Sequence, residues 1–141
     1  MGKVNLGRVL LGGIVAGIVI DIWEGVMRGV ILQARGAAVM AALGKRTDVS
    51  MKQLVAFNVY GLVIGIVAIW LYAAIRPRMG AGPKTAVVAG LAVWLTVFVL
   101  GAMPPVFSHL FPVDLAFITA CGELVMMVIA GLIGGALYKE A

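Results

Sequence analysis

Charged and polar residues divide the chain into four long apolar stretches. The first carries no charge between Arg8 and Asp21, and its apolar character extends to both sides, which predicts a helix over about 4–27. The second holds 22 uncharged residues from Leu54 to Ile75 and stops at Arg76-Pro77-Arg78, which predicts a helix over 53–75. A third follows Gly82-Pro83, with proline at the favoured first position, and runs over 84–107. The fourth follows Pro112 and runs over 113–138. A helix of about 20 mainly apolar residues crosses a hydrocarbon core of roughly 30 Å, so all four are long enough.

The segments between them are also patterned. Over 31–43, Leu32, Val39, Met40 and Leu43 fall on one helical face while Gln33 and Arg35 are polar. This piece is too short to cross a bilayer and predicts an amphipathic interfacial helix or an extension of the first span. Ser50-Met51-Lys52-Gln53 has the form of a capping box, flanked by Val49 and Leu54 as its hydrophobic staple. Pro104-Pro105 removes two backbone donors and predicts a kink or unwinding in the last turn of the third span. The link Ser108 to Phe111 is so short that spans three and four form an antiparallel hairpin. Short echoes at a spacing near 70 residues raise the expectation of a faint two-fold repeat. Val15-Ala16-Gly17-Ile18 is echoed by Val88-Ala89-Gly90-Leu91, and the dipeptides Gly61-Leu62 and Leu71-Tyr72 by Gly131-Leu132 and Leu137-Tyr138, as expected of a duplicated hairpin.

Composition sharpens this picture. Of 141 residues, 63% are hydrophobic and 12% charged, against about a quarter charged in soluble domains. A water-soluble globule, a disordered tail and a disulfide-stapled secreted domain are excluded. The fold class is therefore all-α, a polytopic integral membrane four-helix bundle with an amphipathic segment between spans one and two, forming one transmembrane domain over 1–141. The net charge of +5 does not point to nucleic acid, because Lys and Arg sit at the ends of apolar segments where lipid headgroups lie. The first span resembles a signal peptide, but Asp21, Trp23 and Glu24 stand where a small-residue cleavage site belongs, so the span is expected to be retained. Four spans put both termini on one side, with Lys3, Arg8, Arg76, Arg78, Lys84 and Lys139; Arg28, Arg35, Lys45, Arg46 and Lys52 lie on the other. Six against five is nearly balanced, and the proximity of Lys3, Arg8 and the Arg76 to Lys84 loop to span ends favours cytoplasmic termini.

Candidate chemistry is confined to a few side chains. Glu123 lies near the middle of the fourth span on a face with Ala116, Thr119, Met127, Ala130 and Gly134, and each intramembrane charge costs about 2.5–3.5 kcal/mol. It is a structural carboxyl joining helices or a proton- or cation-binding site. Asp21, Glu24 and Arg28 share a stripe of the first span with Gly13, Gly17 and Gly25, and Glu24 and Arg28 form an i,i+4 pair. The stripe is expected to form an interfacial salt-bridge cluster, or else the mouth of a polar path to Glu123. Asn58 shares a stripe with Gly61, Gly65 and Tyr72 and is expected to bond across helices, with a buried carboxyl as its natural partner. His109, the single histidine, is placed by its hairpin within reach of Asp21, Glu24 or Asp114. Gly131, Gly134 and Gly135 are expected to leave a seam for another subunit. Cys121 stands alone, and no phosphate loop, paired nucleophile and base, zinc motif or haem-ligand pair is present, so no cofactor, metal or catalytic residue is expected.

The opening Leu11-Gly12-Gly13-Ile14-Val15-Ala16-Gly17, the linker ending in Leu43-Gly44 and the proline-marked hairpin resemble the small four-helix bacterial membrane proteins of uncharacterised function. The resemblance implies the same fold and residence in the bacterial inner membrane, and carries over no functional residue. Signature residues of small multidrug transporters and fluoride channels are not found. The expected role is a non-enzymatic membrane subunit, self-associating as a homo-oligomer or accessory to other membrane subunits. The alternative is a small oligomeric proton-coupled transporter or channel centred on Glu123.

Overall fold

The structure is a computed structural model that describes residues 4–140; Lys3, counted above toward the terminal side, lies outside the described residues. The chain is all-helical, and four helices are long and apolar enough to cross a membrane: Leu6–Ile31, Met51–Met79, Pro83–Phe107 and Val113–Leu137. Helix α1 (Leu6–Val26) starts where the Asn5 side chain accepts a hydrogen bond from the Arg8 backbone N–H at 3.1 Å. It then widens into a π-helical turn over Met27–Ile31, closed by the Leu32 N–H donating to the Met27 carbonyl at 2.7 Å. The amphipathic segment expected over 31–43 is the ten-residue helix α2 (Gln33–Ala42).

Helix α3 (Met51–Met79) begins with the expected capping box: Ser50 Oγ accepts from the Gln53 N–H at 3.3 Å, and Gln53 Oε1 accepts from the Ser50 N–H at 2.9 Å. The helix passes the end expected at 75 and contains Pro77. In the last turn a proline forfeits one backbone bond and little else, and the stop comes from Gly80 at φ +85°. Helix α4 (Pro83–Val93) has proline at its first turn as expected, and leads through a π-helical stretch, Trp94–Val99, into helix α5 (Leu100–Phe107). The unwinding expected at Pro104-Pro105 does not occur there; α5 stays helical to Phe107. The distortion lies upstream, where wider winding moves the chain just before the Leu100 and Gly101 carbonyls that the proline rings would strike. Helix α6 spans Val113–Leu137.

The four long helices form a ring in which α1 and α4 each pack between α3 and α6, while α3 and α6 touch only lightly across it. What brings the helices together is backbone approach. A Cβ on Gly65 would overlap the Gly13 and Gly17 backbone, and one on Gly17 would come within 2.6 Å of Leu62 Cα. The opposite edge has a close crossing of its own. A Cβ on Gly90 would come within 2.7 Å of the Met127 carbonyl oxygen, and one on Gly131 within 3.0 Å of the Ala86 carbonyl oxygen. Close glycine contacts thus occur in both hairpins: Gly17 with Gly61 and Gly65 in one, Gly90 with Met127 and Gly131 in the other. Between the hairpins, a Cβ on Gly134 would lie 2.6 Å from the Gly12 carbonyl oxygen. Around these contacts Ile20, Ile69, Met126, Met127 and Ala130 are fully buried.

The glycines expected to leave a seam for another subunit are used within the chain. Gly131, Gly134 and Gly135 face Ala86, Gly12 with Ile69, and Ala86 with Tyr72. Gly13, Gly17, Gly61 and Gly65 are buried or nearly so, whereas Gly25, placed on the same stripe by periodicity, has open space where a Cβ would stand, with nothing within 4 Å. Replacing Gly65 with alanine should therefore lower the thermal stability of the detergent-solubilised protein by about 1–3 kcal/mol, while Gly25→Ala leaves it unchanged or raised. Equal melting curves for the two variants would count against backbone contact as the source of packing.

Candidate functional site

Helix α1 touches α6 from Gly12 onward but leaves α3 beyond Asp21, and this builds the site. Up to Asp21 it lies on α3, where the Asp21 carboxylate sits directly against Gly61. From Trp23 onward it faces α6: a side chain on Gly122 would meet Met27 Cε at 3.2 Å and Trp23 Nε1 at 3.7 Å. Glu24 and Arg28, one turn apart on this face, form an ion pair through Arg28 Nε. The same guanidinium reaches across to α6, with Nη2 3.6 Å from Glu123 Oε1. Glu123 is the most enclosed of the three, its side chain 9% exposed against 24% for Glu24 and 64% for Arg28. The cluster expected on the first span and the carboxylate expected on the fourth are one site, joined through Arg28.

A cavity of about 10 Å³ lies between Trp23, Glu24, Met27, Arg28, Thr119 and Glu123, close to the volume of one water molecule. The Trp23 indole N–H is buried without a hydrogen-bond partner among the described residues. The Thr119 hydroxyl donates to its own helix, to the Leu115 and Ala116 carbonyls at 3.0 Å. Two carboxylates share one guanidinium, so the group has one surplus negative charge when both are ionised. Such a site ties two helices together and can also take up one proton or one small cation. Among the described residues no group of three or more His, Cys, Asp and Glu side chains converges as a metal site would require.

Other expected members lie elsewhere. Asp21 belongs to the stripe but points at α3, not into the Arg28 cluster. Asn58 is exposed, and its amide donates to the Leu54 carbonyl of its own helix at 2.8 Å rather than to a neighbouring helix. The cause is the swing of α1 onto α6, which leaves residues 51–60 of α3 uncovered. His109 is also exposed and stands with the linker helix, lined up with Val39, Leu43 and Leu110 rather than with Asp21 or Glu24. Cys121 is exposed on the outer surface of α6.

Polar contacts at three places were not anticipated. Arg35 on α2 pairs with Asp114 in the first turn of α6, where a carboxylate also favours the helix N-terminus. Trp94 Nε1 donates to the Ala120 carbonyl at 2.8 Å, tying the π-helical stretch to α6. At the opposite end of the ring Tyr72 and Tyr138 meet edge to face at 5.8 Å, Arg76 lies over the Tyr138 ring at 5.4 Å, and the Tyr138 hydroxyl accepts from the Asn5 N–H at 3.2 Å. No family model matches the chain, and neither does any curated protein or solved structure.

Arg28→Met should destabilise the solubilised protein by about 1–3 kcal/mol, because Glu24 and Glu123 then face each other without a counter-charge. Adding Glu123→Gln should restore most of that loss, and thermal unfolding of the four proteins in the cycle measures it. Strictly additive effects would show that Arg28 and Glu123 do not interact.

Proposed function

We propose that this chain is a non-catalytic subunit of the bacterial inner membrane, self-associating or accessory to a larger membrane complex. The observation that carries this reading is the Glu24–Arg28–Glu123 cluster, which closes on itself between α1 and α6 around a cavity of about 10 Å³. Backbone-to-backbone glycine contacts fill the rest of the ring, and a conduit needs open, polar-lined volume that this packing does not supply. Glu123 then acts as an anchor that sets the register of α6 on α1. The outward-facing surface of the bundle is rich in large apolar side chains, among them Leu6, Ile22, Phe57 and Phe117, which suit lipid or another membrane chain.

A second reading rests on the charge imbalance. Two carboxylates on one guanidinium leave a negative charge whose simplest complement is a proton, as a proton-coupled transporter or channel working as an oligomer would need. Proton flux into liposomes separates the two. Under the subunit reading, wild type and Glu123→Gln should both match protein-free liposomes. Flux that is present in wild type and lost in Glu123→Gln, with assembly intact on native gels, would establish the transporter instead.

We place the termini on the cytoplasmic side. In a Cys121→Ser background, Lys45→Cys should react with an impermeant maleimide added to intact cells, and Lys139→Cys should react only after permeabilisation. The reverse pattern would invert the topology.

A further inference from the structure

Where α2 lies across the hairpin joining α5 to α6, the fold leaves a groove of about 290 Å³. Val39, Ala42 and Leu43 form one wall, and Leu110 and Phe111 belong to the other. The Arg35–Asp114 ion pair holds α2 in this position, and α2 itself has no buried residue, so its apolar side is not absorbed by the bundle. The groove lies where the long apolar helices end, the level at which headgroups and acyl chains of a bilayer meet. Its size approaches the lower bound of small-molecule pockets, roughly 300 Å³.

Its single polar side chain is His109, and the backbone there is unusual. His109 closes α5 at φ +57°, the left-handed conformation in which a side chain is strained. At the end of α2 the same task falls to glycine, Gly44 at φ +65°. The chain has 19 glycines and places its only histidine at this cap. A strained residue kept where glycine fits freely indicates that its side chain is used. The charges around it are one-sided. Asp114 is taken by Arg35, and Asp48 by Arg46 at 2.8 and 3.0 Å, whose hydrogen bonds hold the Asp48 carboxyl below its ordinary range. Lys45, two residues beyond the groove-lining Leu43, has no carboxylate partner among the described residues. The groove therefore offers an imidazole, with the unpaired Lys45 two residues along the chain from Leu43 and the neighbouring Asp114 already neutralised by Arg35.

We propose that the groove holds an acyl chain of one anionic phospholipid, whose phosphate is met by His109 and Lys45. The apolar walls take the chain and the rim selects the headgroup, so the site is specific for charge rather than for any one lipid species.

Native mass spectrometry of the full chain in mild detergent tests this, after delipidation and addition of phosphatidylglycerol or phosphatidylcholine. Wild type should retain one phosphatidylglycerol in clear preference to phosphatidylcholine. Lys45→Ala and His109→Gly should each lower that preference by about fivefold. His109→Gly relieves the left-handed strain, and an unchanged melting curve would show that its loss of lipid does not come from misfolding. Ala42→Trp, which fills the groove, should abolish the adduct while circular dichroism stays unchanged. Equal retention of the two lipids, an adduct that survives Ala42→Trp, or a copurifying polypeptide seated there in place of lipid would overturn the proposal.

Discussion

The fold depends on helices approaching until their backbones touch. In a bilayer there is no hydrophobic gain in pressing one apolar helix against another, since lipid is as apolar as leucine. Association must come from close van der Waals contact, and that needs surfaces without side chains between them. Gly13 and Gly17 against Gly61 and Gly65 supply it on one edge of the ring, Gly90 against Gly131 on the other, and Gly12 against Gly134 where the hairpins meet. Ile69, Met126 and Met127 then fill the space that these crossings enclose. The same contacts leave little free volume, and the polar chemistry is displaced to the ends of the ring.

At the linker end that displacement has a definite geometry. Beyond the Asp21–Gly61 contact α1 leaves α3 and stays on α6, and two later arginines follow it: Arg28 to Glu123, then Arg35 to Asp114. Two ion pairs and a π-helical widening at Met27–Ile31 thus belong to one change of direction. The groove beside His109 is its by-product, because a helix held by one ion pair bridges the hairpin without sealing onto it.

Much of the architecture was legible in the chain. Uncharged runs and caps located the four long helices, since the cost of a charge in an apolar run and the need to satisfy Ser50 and Gln53 are local constraints. The glycine stripes were legible as packing faces, but their partners were not: a stripe shows that something approaches closely, and says nothing about whether it is another segment of the chain or another subunit. That is why Gly134 reads as free for a partner in the sequence and is instead filled by Gly12 and Ile69. Asn58 was misplaced for a related reason, because helical periodicity assumes one neighbour along the whole helix and α1 leaves α3 beyond Asp21. Of the site, Glu24 with Arg28 followed from i,i+4 spacing, while Arg28 with Glu123 required knowing that α1 ends on α6.

The repeated glycine crossing also bears on how an uneven polar site can arise. Two separate copies of one hairpin could close the same four-helix ring, but symmetry would then oblige every residue to appear twice. Joined in one chain, the halves are released from that obligation. The position 70 residues before Glu123 is Gln53, which lies at the start of α3 and serves only its cap. A single chain can therefore bury one acid, Glu123, on one side of the ring, where a pair of identical hairpins would have to bury two.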